Sequence, residues 1–232
     1  MSAYLHRYRL DTSEPTKAAV ARDVAIRGVL PALGLLACVW AVGTFLFPPS
    51  GFGDEAVLSR SLQAGRTPLL DLLALTVSHI AGVVGAPLTA LVGVFWLWRA
   101  TRRWWFALVP LLSVTLEALV YQTAALLVTR ERPAGAEQLD FGLPDASYPS
   151  GHVGAAACLA TVLVLVLAAS DRPRWVALLA GALGAGWTLA VAVSRFYLGM
   201  HHPSDAIAGA VIGVTCAFLG WGVLRRNTSA GA

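Results

Sequence analysis

Apolar runs of membrane length alternate with short polar segments along the whole chain. Residues 1–27 are polar and carry Arg7, Arg9, Lys17, Arg22 and Arg27, and an apolar run follows from Gly28 to Phe47. That run is about 20 residues long, enough to cross a bilayer, whereas the core of a secretory signal is about 7–15. It predicts a retained first helix. The Gly/Pro-opened polar stretch from Pro48 to Arg66 predicts an outer loop with a short interfacial helix over Asp54–Gln63. Leu69 to Trp98 is apolar again, interrupted by Asp71, Ser78 and His79; it is longer than one span needs, so it tilts or begins as an interfacial piece before Pro87. Trp104–Val128, Gly151–Ser170, Trp175–Val193 and Asp205–Leu224 supply the remaining spans. The pattern predicts an all-α, integral membrane six-helix bundle. It forms one domain over 28–226, flanked by an N-terminal segment (1–27) and a tail (227–232).

Composition agrees. Apolar residues make up 57% of the 232 and charged residues 13%, with a mean hydropathy of +0.67, against a charged share of about a quarter in soluble domains. The net charge of +4 is scattered beside apolar runs rather than gathered on one face, which excludes a nucleic-acid partner and marks orientation signals instead. Segments 1–27, 99–103 and 171–174, with Arg225 and Arg226, hold twelve Lys and Arg on one side; Arg60, Arg66, Arg130, Arg132 and Arg195 make five on the other. The positive-inside rule then puts both termini in the cytoplasm of a multi-pass cell-membrane protein. Trp96, Trp98, Trp104, Trp105, Trp175 and Trp221 lie near the ends assigned to that side, as an aromatic belt does. Cys38, Cys158 and Cys216 sit inside apolar runs without metal-ligand spacing, so they read as packing residues and no metal or cofactor is implied.

This topology brings the loops 129–150 and 194–205 to one outer face. They carry Arg130-Glu131-Arg132-Pro133, Tyr148-Pro149-Ser150-Gly151-His152, and Ser194-Arg195 followed by His201 and Asp205. Polar groups of this kind are costly beside a bilayer unless they pair or serve a site. Cations, a hydroxyl, backbone amides and two imidazoles form a phosphate-handling set. Pro149–His152 opens a helix, whose first-turn amides and dipole favour an anion, and Gly151 admits close approach to the backbone. Arginines supply planar donors to phosphoryl oxygens. His201 and Asp205 are four apart, a spacing at which a carboxylate holds one imidazole nitrogen and leaves the other to attack; His152 is then available as general acid.

These residues resemble the phosphatidic acid phosphatase type 2 superfamily, with its motifs Lys-six residues-Arg-Pro, Pro-Ser-Gly-His, and Ser-Arg-five residues-His-three residues-Asp. The second and third match in full, at Pro149–His152 and at Ser194, Arg195, His201 and Asp205. The first matches only at Arg132-Pro133, because Ala125 stands where the family has Lys, and Lys17 is the only lysine in the chain. The resemblance covers roughly residues 105–224. It implies His201 as nucleophile through a phosphohistidine, Asp205 as its orienting partner and His152 as acid. It also implies Arg132, Arg195, Ser150 and the Gly151 amide, with Ser194 alongside, as phosphate-binding groups, and Arg130 as the nearest substitute for the missing cation.

The expected activity is metal-independent hydrolysis of a lipid-borne phosphate or pyrophosphate at the outer membrane face. The alternatives are phosphotransfer between lipid headgroups by the same intermediate, or a non-catalytic lipid-phosphate binder; the spans disfavour a soluble haloperoxidase. The oligomeric state is left open. Asp140 reads as a turn former and His202 as a bystander. Glu117 and His79 read as partners in interhelical hydrogen bonds, and Gly209 and Gly213 as close-packing positions.

Overall fold

A computed structural model describes residues 15–140, 146–170 and 172–224. Arg7, Arg9, Asp171, Arg225, Arg226 and the tail 227–232 lie outside them. Helix α1 runs over Lys17–Phe45 with a π-helical stretch at Val24–Val29, so it begins inside the polar N-terminal segment, ahead of the apolar run that starts at Gly28. Thr16 starts it, its hydroxyl accepting from the Ala19 amide at 3.2 Å. A short helix α2, Glu55–Ala64, occupies the place expected for the interfacial piece. The long apolar stretch that follows is two helices, α3 (Pro68–Ala81) and α4 (Gly85–Thr101), bent by 51° at a short break. The break comes earlier than Pro87, at residues 82–84. Thr67 caps α3 by accepting from Leu70, and Pro68 sits in its first turn, where a missing N–H costs nothing.

After a single turn at Trp104–Ala107 come α5 (Val109–Leu127), α6 (Gly151–Ala168), α7 (Arg174–Tyr197) and α8 (Pro203–Leu224). Among the described residues five helices are long and apolar enough to span a bilayer, or six with the bent α3–α4 pair taken as one span. The chain is an all-helical, multi-pass membrane bundle. The helices α7 and α8 extend into the stretch read as a loop: Ser194 and Arg195 lie in the last turn of α7, and Asp205 in the first turn of α8.

Helix α6 is the centre, packed chiefly against α8, α7 and α5. The α6–α8 contact is backbone to backbone. A β-carbon on Gly209 would lie 2.2 Å from the Ser150 carbonyl oxygen, and one on Gly213 would lie 2.0 Å from that of Gly154. Small residues four apart thus let these helices meet more closely than side chains allow. This packing fixes the start of α6 against the start of α8, and the Ser150 amide donates to the Asp205 carbonyl at 3.1 Å. Of the two ionisable residues expected to bridge helices, neither does so: His79 Nδ1 lies 2.6 Å from Leu75 O on its own helix, and Glu117, 1% exposed, has an Oε1 without a hydrogen bond among the described residues.

Candidate active site

The polar layer gathers at one end of α5, α6, α7 and α8. The turn between α7 and α8, Leu198–His202, is buried throughout, and carries His201. Its Nδ1 is 2.5 Å from the Ser147 carbonyl. A carbonyl only accepts, so the proton sits on Nδ1 and the Nε2 lone pair is left over. Burial, then the charges of Arg195, Arg132 and His152, push this imidazole well below its ordinary pKa, so it stands neutral. It is 6% exposed.

Asp205 was expected to hold His201, and here the structure differs. Its Oδ1 pairs with Arg130 Nη1 and its Oδ2 accepts from the His202 amide at 2.8 Å, capping the first turn of α8. The sequence spacing puts the two residues near one another, but a nearer, stronger donor takes the carboxylate. All three nitrogens of Arg130 are engaged within the protein. Nε donates to Pro48 O at 3.2 Å, Nη1 also to Ser204 Oγ at 2.8 Å, and Nη2 to Glu55 Oε2 at 3.0 Å. Phe47 and Phe52 lie against the guanidinium, 5.0 and 5.9 Å from ring centre to Cζ. Glu55, at the start of α2, closes this cluster by accepting also from the Ser204 and Phe52 amides, each at 2.9 Å. Burial alone would raise its carboxyl, but the Phe52 and Ser204 bonds and the Arg130 charge outweigh it and hold the pKa below the ordinary value. Ser194 is also turned away: its hydroxyl donates to Val191 O at 2.8 Å, within α7.

The other expected residues face a common region. Arg132 Nη1 donates to the carbonyl of Met200, the residue before His201, at 3.0 Å. Arg195, 1% exposed, donates through Nη1 to Asp140 Oδ2 and Ser78 Oγ, each at 2.5 Å, while its buried Nε makes no hydrogen bond among the described residues. Ser150 caps α6 by position only, for its buried hydroxyl likewise has no partner among those residues. Gly151 needs its missing side chain for a reason the sequence does not display: a β-carbon there would stand 2.6 Å from the Tyr121 ring of α5. His152, in the first turn of α6, lies against the α3–α4 break, where a β-carbon on Gly82 would be 3.0 Å from its Nε2. A cavity of about 80 Å³ opens beside it, lined also by Glu117, Tyr121 and Gln122.

Four residues the sequence reading passed over thus belong to the site: Ser147, Ser78, Glu55 and Asp140. Each contributes through a long-range contact that no local pattern announces. Ala125 is buried on α5. Among the described residues no three of His, Cys, Asp and Glu converge as a metal-binding group. Below the polar layer an apolar cavity of about 730 Å³ lies between α3–α4, α6 and α7, with Ile80, Ala81, Trp96, Leu163, Leu183 and Trp187 among its walls.

Comparison with known proteins adds the family. Phosphatidylglycerophosphatase B of Bacillus subtilis (strain 168) is 28% identical over 172 residues, spanning 72% of this chain and 80% of that protein. Undecaprenyl-diphosphatase of Sulfolobus acidocaldarius is 31% identical over 140 residues, 59% of this chain and 61% of the relative. The crystal structure of a transmembrane PAP2-type phosphatidylglycerolphosphate phosphatase from Bacillus subtilis superposes with a TM-score of 0.65 at 24% identity, covering 83% of this chain and 92% of that one. Aquifex aeolicus LpxE superposes at 0.56 and 23% identity, over 75% and 98%. These two likenesses speak for the fold. The model of the PAP2 superfamily matches residues 106–229, the segment that holds all three motif positions and every helix from α5 onward, and the chain belongs to that superfamily.

Proposed function

We propose that the protein is a membrane phosphatase of a lipid-borne phosphate monoester or pyrophosphate, acting at the outer face of the cell membrane through a phosphohistidine. The observation that carries this reading is the state of His201: neutral, with Nδ1–H held by the Ser147 carbonyl and Nε2 left for attack. In the first step Nε2 bonds to phosphorus, and the bond from phosphorus to the leaving oxygen breaks as His152 gives that oxygen its proton. In the second, water attacks the phosphohistidine, His152 takes the water's proton, and the P–N bond breaks to release inorganic phosphate. Arg195 Nε, the Ser150 hydroxyl, Arg132 and the Gly151 amide at the α6 N-terminus stabilise the charge on the phosphoryl oxygens. Asp205 acts at one remove, fixing the turn that carries His201 through the His202 amide.

A lipid substrate is favoured by the apolar cavity of about 730 Å³, whose walls Ile80 and Ala81 adjoin the break against which His152 rests. The names of the two relatives, a phosphatidylglycerophosphatase and an undecaprenyl-diphosphatase, point the same way. The excess of Lys and Arg on the termini and even loops supports the outer-face placement.

The test is phosphate release by detergent-purified protein from phosphatidylglycerol phosphate, phosphatidic acid and polyprenyl diphosphate, with and without chelator. Release that persists in chelator and vanishes in His201→Ala is the expected result. No release from any lipid would leave a lipid-phosphate binder; a new phosphodiester in place of free phosphate would make the protein a transferase.

A further inference from the structure

Arg195 meets the site with an anion already attached. Asp140 Oδ2 accepts from both Arg195 Nη1 and Ser78 Oγ, at 2.5 and 2.8 Å, and Ser78 Oγ in turn accepts from the same Nη1. This is a built arrangement rather than a chance surface pair. Arg195 is almost fully buried and the Asp140 side chain is 13% exposed. The preceding residue, Leu139, is tied by its amide to the Leu198 carbonyl at the end of α7, at 3.0 Å. Further back, Gln63 of α2 donates to the Glu137 carbonyl at 2.8 Å and accepts from its amide at 2.9 Å. Asp140 is therefore presented to the arginine by a loop fixed on both α2 and α7.

We propose that Asp140 is a positioning residue of the phosphate clamp: a resident carboxylate that orients Arg195 and, by like-charge repulsion, keeps the site from retaining free phosphate. The inference rests on the phosphatase reading above. With Nη1 held by Asp140 and Ser78, the guanidinium plane is set, and Nε, buried without a hydrogen bond among the described residues, is left to donate to a phosphoryl oxygen. The negative charge of Asp140 opposes any anion bound there. A lipid substrate offsets that repulsion by burying its chain, and a phosphohistidine by its covalent bond. Inorganic phosphate feels the same repulsion with nothing to offset it, so the site discharges its product.

The measurement is the inhibition constant of inorganic phosphate during hydrolysis of a lipid phosphate, for wild type, Asp140→Asn, Asp140→Glu and Ser78→Ala. Asp140→Asn is expected to tighten phosphate inhibition about tenfold, the order expected for removing one nearby like charge in a partly screened site. Its kcat falls, because the Arg195 plane is no longer set for the transition state. Asp140→Glu keeps the wild-type constant. Ser78→Ala removes a hydrogen bond but no charge, so it raises KM without tightening phosphate. Damage to the fold cannot produce a gain in phosphate affinity. If Asp140→Asn does not fold, Asp140→Ser reads the same constant. An unchanged or weakened phosphate affinity in an active variant overturns the proposal while the phosphatase reading stands; absence of activity in the wild type overturns the phosphatase reading itself.

Discussion

Arg130 and Arg195 are both buried, at 2% and 1% exposure, and both touch a carboxylate in the same polar layer. They differ in what remains after those contacts. All three nitrogens of Arg130 have partners, from Pro48, Ser204, Asp205 and Glu55, and two aromatic rings flank it. Arg195 is held through Nη1 alone, and its Nε is buried without a bond among the described residues. One is a closed ion cluster that joins α2 to the start of α8; the other is a half-used donor fork. Burial and charge do not separate these two arginines, but an inventory of their donors does.

Four measurements break or sharpen this contrast. The largest effect belongs to Arg130→Ala, which strands Asp205 and Glu55 without their counter-charge and is expected to cost about 3–5 kcal/mol of stability, read as a lowered unfolding midpoint. Arg195→Lys keeps the charge but loses the planar fork, so kcat/KM is expected to fall about a hundredfold with only a minor change in midpoint. If instead Arg195→Lys unfolds the protein and Arg130→Ala spares it, the two roles are reversed. Next, Gly213→Ala forces a β-carbon onto the Gly154 carbonyl; prying α6 from α8 is expected to cost about 1–3 kcal/mol and to slow turnover, because Ser150 and Asp205 meet across that seam. An unaffected variant would show that the two halves of the site do not depend on this contact.

The smallest effect is that of Glu55. Its carboxyl is held below the ordinary value, so its contribution is full above the unfolded-state pKa and is lost as pH falls through the depressed folded one. Glu55→Gln is therefore expected to lower the midpoint slightly at neutral and alkaline pH and to flatten the acid limb, so that the two midpoint-versus-pH curves converge in acid. A variant whose acid limb matches wild type would remove Glu55 from the cluster.

The sequence made some of these partners legible and hid others. The motif residues Arg132, Ser150, His152, Arg195 and His201 could be placed on one face because membrane-length runs force alternate loops to the same side. Asp140 reads as an ordinary turn residue, since its partners Arg195 and Ser78 lie 55 and 62 residues away in sequence. Ser147 contributes only a carbonyl, which every residue possesses, so no residue type flags it. Glu55 is 149 residues from Ser204 and 75 from Arg130. The pairing of Asp205 with His201 was inferred from a four-residue spacing. That spacing is true of the helix but says nothing of a competing guanidinium arriving from another loop.

By itself, then, the chain determined its six spans and the chemical inventory at one end of them. Hydrophobic run length and motif spacing are local quantities, and the bilayer converts them into topology without further choice. Tertiary packing decided which carboxylate answers which arginine and which imidazole nitrogen carries the proton. Those choices turn on contacts of about 3 Å or less, set by how closely α6 and α8 approach across Gly209 and Gly213 and by where α2 and the 129–140 loop come to rest. Coulomb and hydrogen-bond energies fall steeply over such distances. A shift too small to leave any trace in sequence spacing exchanges one partner for another, and at the 194–205 stretch it gave Asp205 to Arg130 and left His201 to the Ser147 carbonyl.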